Sequence, residues 1–276
     1  MLKSRIITAI VLLVLFLIAL FALPVLAWQL LVLVMVVQGS SEWAKLAKLS
    51  ARTATTYWLA TLLLMLALIA FDRQFAVEQQ TWLHLPIYMV AALFWLIIVP
   101  TWLIAGWQTR HAGLMMAVGW TLLIPTGLAM IDLRAEIPAP WVLLFVMCLV
   151  WIADSAAYFA GRKFGKSKLA PSISPGKTWE GVIGAMAAVA VYAVLVWSFS
   201  SYFSRNEPLI SFLLACWWWV GLAVMGDLFE SAIKRQAGVK DSGSLLPGHG
   251  GLLDRIDALT STLPLAAMLM LLQRLE

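Results

Sequence analysis

Residues 209–226 read LISFLLACWWWVGLAVMG, without a single charged side chain, and the carboxylate of Asp227 follows directly. A run of this polarity is a candidate bilayer-crossing helix, which needs about 20 predominantly apolar residues. Working outward, similar runs occupy 6–23, 25–37, 57–71, 87–105, 114–131, 141–160, 182–203 and 258–272. The 276-residue chain is 63% hydrophobic and 12% charged, with a mean hydropathy of +0.92, whereas soluble domains carry about 25% charged residues. These features define an all-α, polytopic integral membrane protein with about nine transmembrane helices. Several runs are shorter than a full crossing and are expected to extend into their polar flanks. As one helix, 6–37 would measure about 48 Å, more than a hydrocarbon core of about 30 Å, so the chain is expected to break at Pro24. A cleaved signal peptide is the rival reading of the basic N-terminus, but the apolar run is too long for one and a second span follows at once.

Lys and Arg placement orients the spans. With the N-terminus inside, 15 of the 19 Lys and Arg residues fall on the inner side, leaving Arg73, Arg134, Arg205 and Arg274 outside. The expectation is a bacterial-type inner (plasma) membrane protein with a cytoplasmic N-terminus and an external C-terminus. The net charge of +5 sits where topology requires it and does not point to nucleic acid. Cys148 and Cys216 lie within apolar runs without metal spacing and read as core.

Chemistry divides the chain. Residues 1–140 carry few polar groups within spans and read as scaffold helices, while 141–276 hold the site. The outer halves of the spans look nearly free of ionisable groups, which argues against a transporter or channel with a polar path across the membrane.

Asp154 interrupts the run 141–160, and an intramembrane carboxylate is a functional-site hypothesis by default. The plain alternative is a helix ending near Ala153 with Asp154 among headgroups. The basic segment 161–177 ends in the polar turn SPGKTWEG, 174–181. It is no P-loop, because Pro171 stands where the first glycine is needed and no strand precedes it. Lys177 is a candidate phosphate ligand there, although a positive-inside loop alone would explain the basic charge.

Beyond residue 226 comes the densest polar cluster. Asp227, Glu230 and Lys234 share one helix face by their spacing, and Asp254 and Asp257 repeat the i, i+3 pattern where the last span begins. Carboxylates from two helix ends suit Mg²⁺ when substrate phosphates complete its shell, whereas ion pairing with Arg235, Lys240 or Arg255 would account for any one pair. Between them, Leu246-Pro247-Gly248-His249-Gly250-Gly251 offers a backbone that can approach an anion closely, with His249 reading as a phosphate or base contact.

Ser231-x-Ile233-Lys234-Arg235, Lys240-Asp241-x-Gly243, Leu246-Pro247-x-His249-Gly250-Gly251 and Asp254-Arg255-x-Asp257 closely resemble the signature of the phosphatidate cytidylyltransferases, or CDP-diacylglycerol synthases. The resemblance extends to the 174–181 turn and to Asp154 with Gly161, covering roughly the C-terminal half. It implies transfer of a cytidylyl group from CTP to phosphatidic acid at a cytoplasmic-facing site, with Mg²⁺ required and a second cation nearby. On that resemblance Asp227 and Asp254 hold metal, with Asp257 and Asp154 as secondary ligands. Lys234, Arg235, Lys240 and His249 hold the triphosphate, with Lys240 and His249 placed beside Asp227 and Asp254 in the catalytic group. Lys177 and Ser174 meet the lipid phosphate or CTP, and Gly250, Gly251 and Arg255 complete the substrate contacts. Membrane lipids and a second copy of the chain, as a homodimer, are the other partners implied. A CTP-dependent polyprenol or dolichol-type lipid kinase is the nearest alternative, and its alcohol substrate would need a general base.

Overall fold

The computed structural model describes residues 2–136, 140–202, 208–245 and 250–275. Among them nine long helices follow in order: α1 Leu2–Ala22, α2 Val25–Leu46, α3 Ala51–Gln74, α4 Val77–Ala105, α5 Ala112–Ala135, α6 Trp141–Phe164, α7 Trp179–Phe199, α8 Leu209–Ala237 and α9 Leu253–Leu275. From α2 to α9 all eight are long and apolar enough to cross a membrane. The break between α1 and α2 falls at Pro24, which precedes α2 with extended backbone, as the chain length demanded. The short apolar runs do extend: α2 carries on through Gln38 and Glu42 to Leu46, and α8 continues past Asp227 to Ala237. Gly238, in the left-handed conformation at φ +78°, then ends α8.

Among α2–α9, α5 and α9 are the most enclosed helices and α7 the least. A large apolar cluster gathers side chains from α1 through α6, α8 and α9, while a smaller one around Ala153, Val189 and Cys216 joins α6, α7 and α8. The outward residues of α7, including Ile183, Val191 and Leu195, are apolar although exposed, which is the pattern of a lipid-facing helix. Small residues bring helices together at two crossings. A Cβ on Gly184 of α7 would lie 2.3 Å from Ala160 Cβ of α6, and one on Gly226 of α8 would lie 2.6 Å from Ser261 Oγ of α9.

α4 contains a π-helical turn, Phe94–Ile98, just ahead of Pro100. Proline lacks an N–H and its ring crowds the carbonyl four residues earlier, so a widened turn there relieves the clash. The turn directs Phe94 and Trp95 against Phe229 of α8, with ring centroids 5.5 and 5.8 Å apart. Phe229 is thereby fixed between the two carboxylate positions, Asp227 and Glu230.

The sequence reading needs two amendments. The segment before α7 is a small antiparallel hairpin, β1 Lys168–Ala170 and β2 Ser174–Thr178. The spans are also less free of ionisable groups than expected. α4 begins at Val77, ten residues before the apolar run at Ile87, so His84 lies inside the helix and is only 1% exposed. It sits between Asp72 of α3 and Asp132 of α5, with each ring nitrogen 2.9 Å from a carboxylate oxygen. Tyr88 donates to Asp132 as well, at 2.7 Å. Arg134 of α5 donates to Leu20 O and Leu23 O at the end of α1, and packs over Trp28.

Candidate functional site at one end of the bundle

The helices alternate in direction, so the C-terminal ends of α2, α6 and α8 and the N-terminal ends of α7 and α9 meet at one face of the bundle, together with the hairpin. Helix starts present unpaired N–H groups and helix ends unpaired carbonyls, which makes such a face suited to charged ligands.

Two lysine–carboxylate pairs form its centre. Lys177 Nζ, delivered by β2, lies 2.6 Å from Asp227 Oδ2 of α8. It also reaches Val224 O at 3.5 Å. Lys234 Nζ, two helical turns along α8, lies 2.6 Å from Asp254 Oδ1 at the start of α9 and 3.4 Å from Glu230 Oε1. Each pair thus bridges two elements. Asp227, Glu230 and Lys234 are on one helix as their spacing required, and Ser231 Oγ sits 3.3 Å from Asp227 Oδ1.

The hairpin is held in place from both sides. Thr178 caps α7 by accepting from Gly181 N at 3.2 Å, and the Glu180 carboxylate accepts from Ser167 N at 3.0 Å. Arg235 Nε donates to Ile173 O at 3.4 Å, so the end of α8 grips the hairpin loop. Ser174 opens β2, three residues before Lys177. The short strand therefore aims Lys177 at α8.

Asp154 lies well inside a helix that runs on to Phe164, so the helix does not end near Ala153. It is in the electrostatic neighbourhood of Asp227, Lys177 and Arg255. Asp257, one turn beyond Asp254, is close enough to feel Glu230, Asp227 and Asp154. Glu230 is only 6% exposed, and both its carboxylate oxygens lack an aligned hydrogen-bond donor among the described residues. The 3.4 Å approach of Lys234 is therefore a charge contact.

Asp254 is heavily engaged. Its Oδ2 accepts from Ser242 N and Gly251 N, both at 2.8 Å, and has Ser242 Oγ at 3.0 Å. Gly250 precedes it at φ +82°, a conformation that favours glycine, and a Cβ there would also strike Asp254 Oδ2 at 2.5 Å. Lys240 and Arg255 are exposed around this segment. His249 lies outside the described residues.

Hard carboxylate oxygens from two helices match Mg²⁺, which usually takes one or two carboxylates and fills its octahedron with water and substrate phosphates. Among the described residues no three His, Cys, Asp or Glu side chains converge as a metal cage. Lys177 holds Asp227, and Lys234 and Ser242 hold Asp254. The donor set fits a cation that shares its shell with a substrate, and does not fit a closed all-protein site.

Two residues of this face escaped the sequence reading. Glu42 of α2 is 1% exposed, and Ser242 Oγ lies 2.9 Å from its Oε2. The available signal was the polar run Gln38-Gly39-Ser40-Ser41-Glu42 directly after an apolar stretch. This run is the last part of α2, the polar flank into which the short apolar run extends.

A bundle of apolar, membrane-length helices with paired lysines and carboxylates at one end defines an integral membrane protein built to handle an anionic ligand at the bilayer edge. The model of the cytidylyltransferase family matches residues 3–273, and the chain belongs to that family. It is 36% identical to the phosphatidate cytidylyltransferase of Haemophilus influenzae over 282 residues, covering 96% of each chain. Against the phosphatidate cytidylyltransferase of Pseudomonas aeruginosa it is 38% identical over 281 residues, covering 98% of this chain and 97% of the relative. The phosphatidate cytidylyltransferase of Thermotoga maritima is 46% identical over 127 residues, just under half of either chain.

Proposed function

We propose that this protein transfers the cytidylyl group of CTP to phosphatidic acid, forming CDP-diacylglycerol and pyrophosphate. The observation that carries this reading is the pair of 2.6 Å lysine–carboxylate contacts, Lys177–Asp227 and Lys234–Asp254, at one end of a membrane bundle whose full-length relatives bear the name of this activity. The site end faces the cytoplasm, as the Lys and Arg distribution favours, with the N-terminus on the same side and the C-terminus across the membrane. CTP then arrives from water and the lipid from the side.

An oxygen of the phosphatidate phosphate attacks the α-phosphorus of CTP, the new P–O bond forms, and the bond to the β-phosphate oxygen breaks with its electron pair leaving on pyrophosphate. The nucleophile is already an anion, so no side chain has to accept a proton. What the protein supplies is alignment and compensation of charge. Asp227 and Asp254 would hold Mg²⁺, with Asp257 and Asp154 as further oxygen ligands and as the ligands a second cation would use. Bound Mg²⁺ would neutralise the triphosphate and polarise its phosphorus. Lys177 and Lys234, paired with carboxylates without substrate, exchange those partners for phosphate oxygens, so the site passes between two balanced states. Arg235, Lys240, Arg255 and His249 steady the triphosphate and the departing pyrophosphate, while Ser174, Gly250 and Gly251 supply close polar contacts. The protein works as a homodimer, which mass measurement in detergent checks.

The test is an assay with CTP labelled in the cytidine. Label in the lipid, released pyrophosphate, and loss of both on chelation or omission of phosphatidic acid are the expected results. Label confined to CDP with a phosphorylated lipid product would replace this reading by lipid kinase chemistry.

A further inference from the structure

We infer that Glu42 is a positioning residue of the site: from α2, 200 residues away in sequence, it clamps Ser242 and the backbone of Leu252 and Leu253 so that Asp254 is presented with acceptor capacity to spare. The inference rests on the functional reading only in taking Asp254 as a cation ligand.

The Glu42 carboxylate is buried and fully engaged. Its Oε1 accepts from Gln38 Nε2 at 3.1 Å and from Leu252 N at 3.0 Å. Its Oε2 accepts from Leu253 N at 3.0 Å and lies 2.9 Å from Ser242 Oγ. Burying a carboxylate is costly by several kcal/mol unless such donors compensate. Two of the donors are the N–H groups where α9 begins, which a helix start leaves unpaired and where negative charge is favoured. Glu42 therefore pins the entry of α9 to α2, one residue before Asp254.

The segment is shaped around this carboxylate. A Cβ on Gly251 would lie 2.4 Å from Glu42 Oε2 and 2.2 Å from Ser242 Oγ, and one on Gly243 would lie 3.0 Å from Glu42 Oε1. Both glycines admit Glu42.

Ser242 couples the clamp to the site. Its hydroxyl carries one hydrogen, yet its oxygen is 2.9 Å from Glu42 Oε2 and 3.0 Å from Asp254 Oδ2. Only one carboxylate can receive that hydrogen. When Glu42 takes it, Ser242 is tied to α2 while its backbone N–H, with that of Gly251, aims Asp254 through Oδ2, and the acceptor capacity left for a cation lies on Oδ1, beside Lys234. A mere helix cap would stabilise α9 without affecting cation affinity, which separates the two roles.

The experiment compares the full-length protein in detergent with Glu42→Gln and Ser242→Ala. Binding of Mn²⁺ in the presence of CTP is counted by electron paramagnetic resonance, alongside amide exchange over 242–253 and the thermal midpoint. Glu42→Gln replaces one acceptor oxygen by a donor among four donors. It is expected to speed exchange at Leu252 and Leu253 and to weaken Mn²⁺ binding about 10–100-fold, the usual effect of losing an outer-shell partner. Ser242→Ala is expected to weaken it less, by about 3–10-fold, with the midpoint nearly unchanged. Mn²⁺ affinity within about twofold of wild type in the folded variants overturns the inference and leaves Glu42 a cap. Should Glu42→Gln not fold, Ser242→Ala decides by the same criterion. None of these readouts needs turnover, so a wild type that binds Mn²⁺ with CTP but transfers no cytidylyl group counts against the functional reading alone.

Discussion

Both ends of the bundle carry a charge network, and the two are built differently. At the end opposite the site, His84 lies between Asp72 and Asp132 with side chains only 2%, 7% and 12% exposed, and Tyr88 and Arg134 complete the network with short contacts to Asp132 and to the carbonyls of α1. At the site end, Lys177 and Asp227 are 21% and 33% exposed and held by one strong contact to each other, while Lys234 and Asp254 are 12% and 6% exposed. The first arrangement joins α1, α3, α4 and α5 around a histidine between two carboxylates, and Asp72, Asp132 and Arg134 border a cavity of about 460 Å³. The second joins β2 to α8 and α8 to α9 through lysines, and its Lys177–Asp227 pair is the more exposed of the two.

The sharpest way to break that contrast is at the histidine network. His84→Ala leaves two buried carboxylates facing each other, and a loss of about 3–5 kcal/mol of stability is expected. Thermal unfolding in detergent checks it, and KM for CTP in the folded fraction should be unchanged. Asp227→Asn and Asp254→Asn come next, each expected to lower kcat by about 10²–10³-fold with the unfolding midpoint retained. Near-normal turnover in either would move that residue out of the metal site. Gly226→Ala tests the helix contact beneath both pairs, since the added carbon would meet Ser261 Oγ at 2.6 Å and Asp257 O at 2.7 Å. A loss of about 1–3 kcal/mol is expected from overpacking. Lys177→Ala should have the smallest effect, raising KM for CTP or phosphatidic acid by about tenfold, equivalent to about 1.4 kcal/mol. Unchanged kinetics for both substrates would return that hairpin to topology alone.

Much of the architecture was legible in residue order, because a bilayer-crossing helix must be long and apolar and its length is set by the membrane. The break at Pro24, the continuation of polar flanks into helices, and the single face shared by Asp227, Glu230 and Lys234 all follow from local rules. The polar motifs between Asp154 and Asp257 were visible for the same reason: charged and glycine-rich segments stand out against oil. Hydropathy was least informative where a helix extends beyond its apolar run. His84 lies before the run at Ile87 and Glu42 after the run ending at Val37, so neither stands out in the sequence although each is buried in a helix.

The sequence by itself determined the class, an all-α membrane protein of long apolar helices, and set out the polar motifs between Asp154 and Asp257, since these depend on composition and on spacing along one helix. Tertiary structure alone decided the partners. Lys177 reaches Asp227 because a short hairpin bridges α6 and α7, and Lys234 reaches Asp254 because Gly226 lets α8 and α9 approach. Glu42 meets the start of α9 across 210 positions of chain, a pairing set by how the helices pack and by the need to satisfy a buried carboxylate.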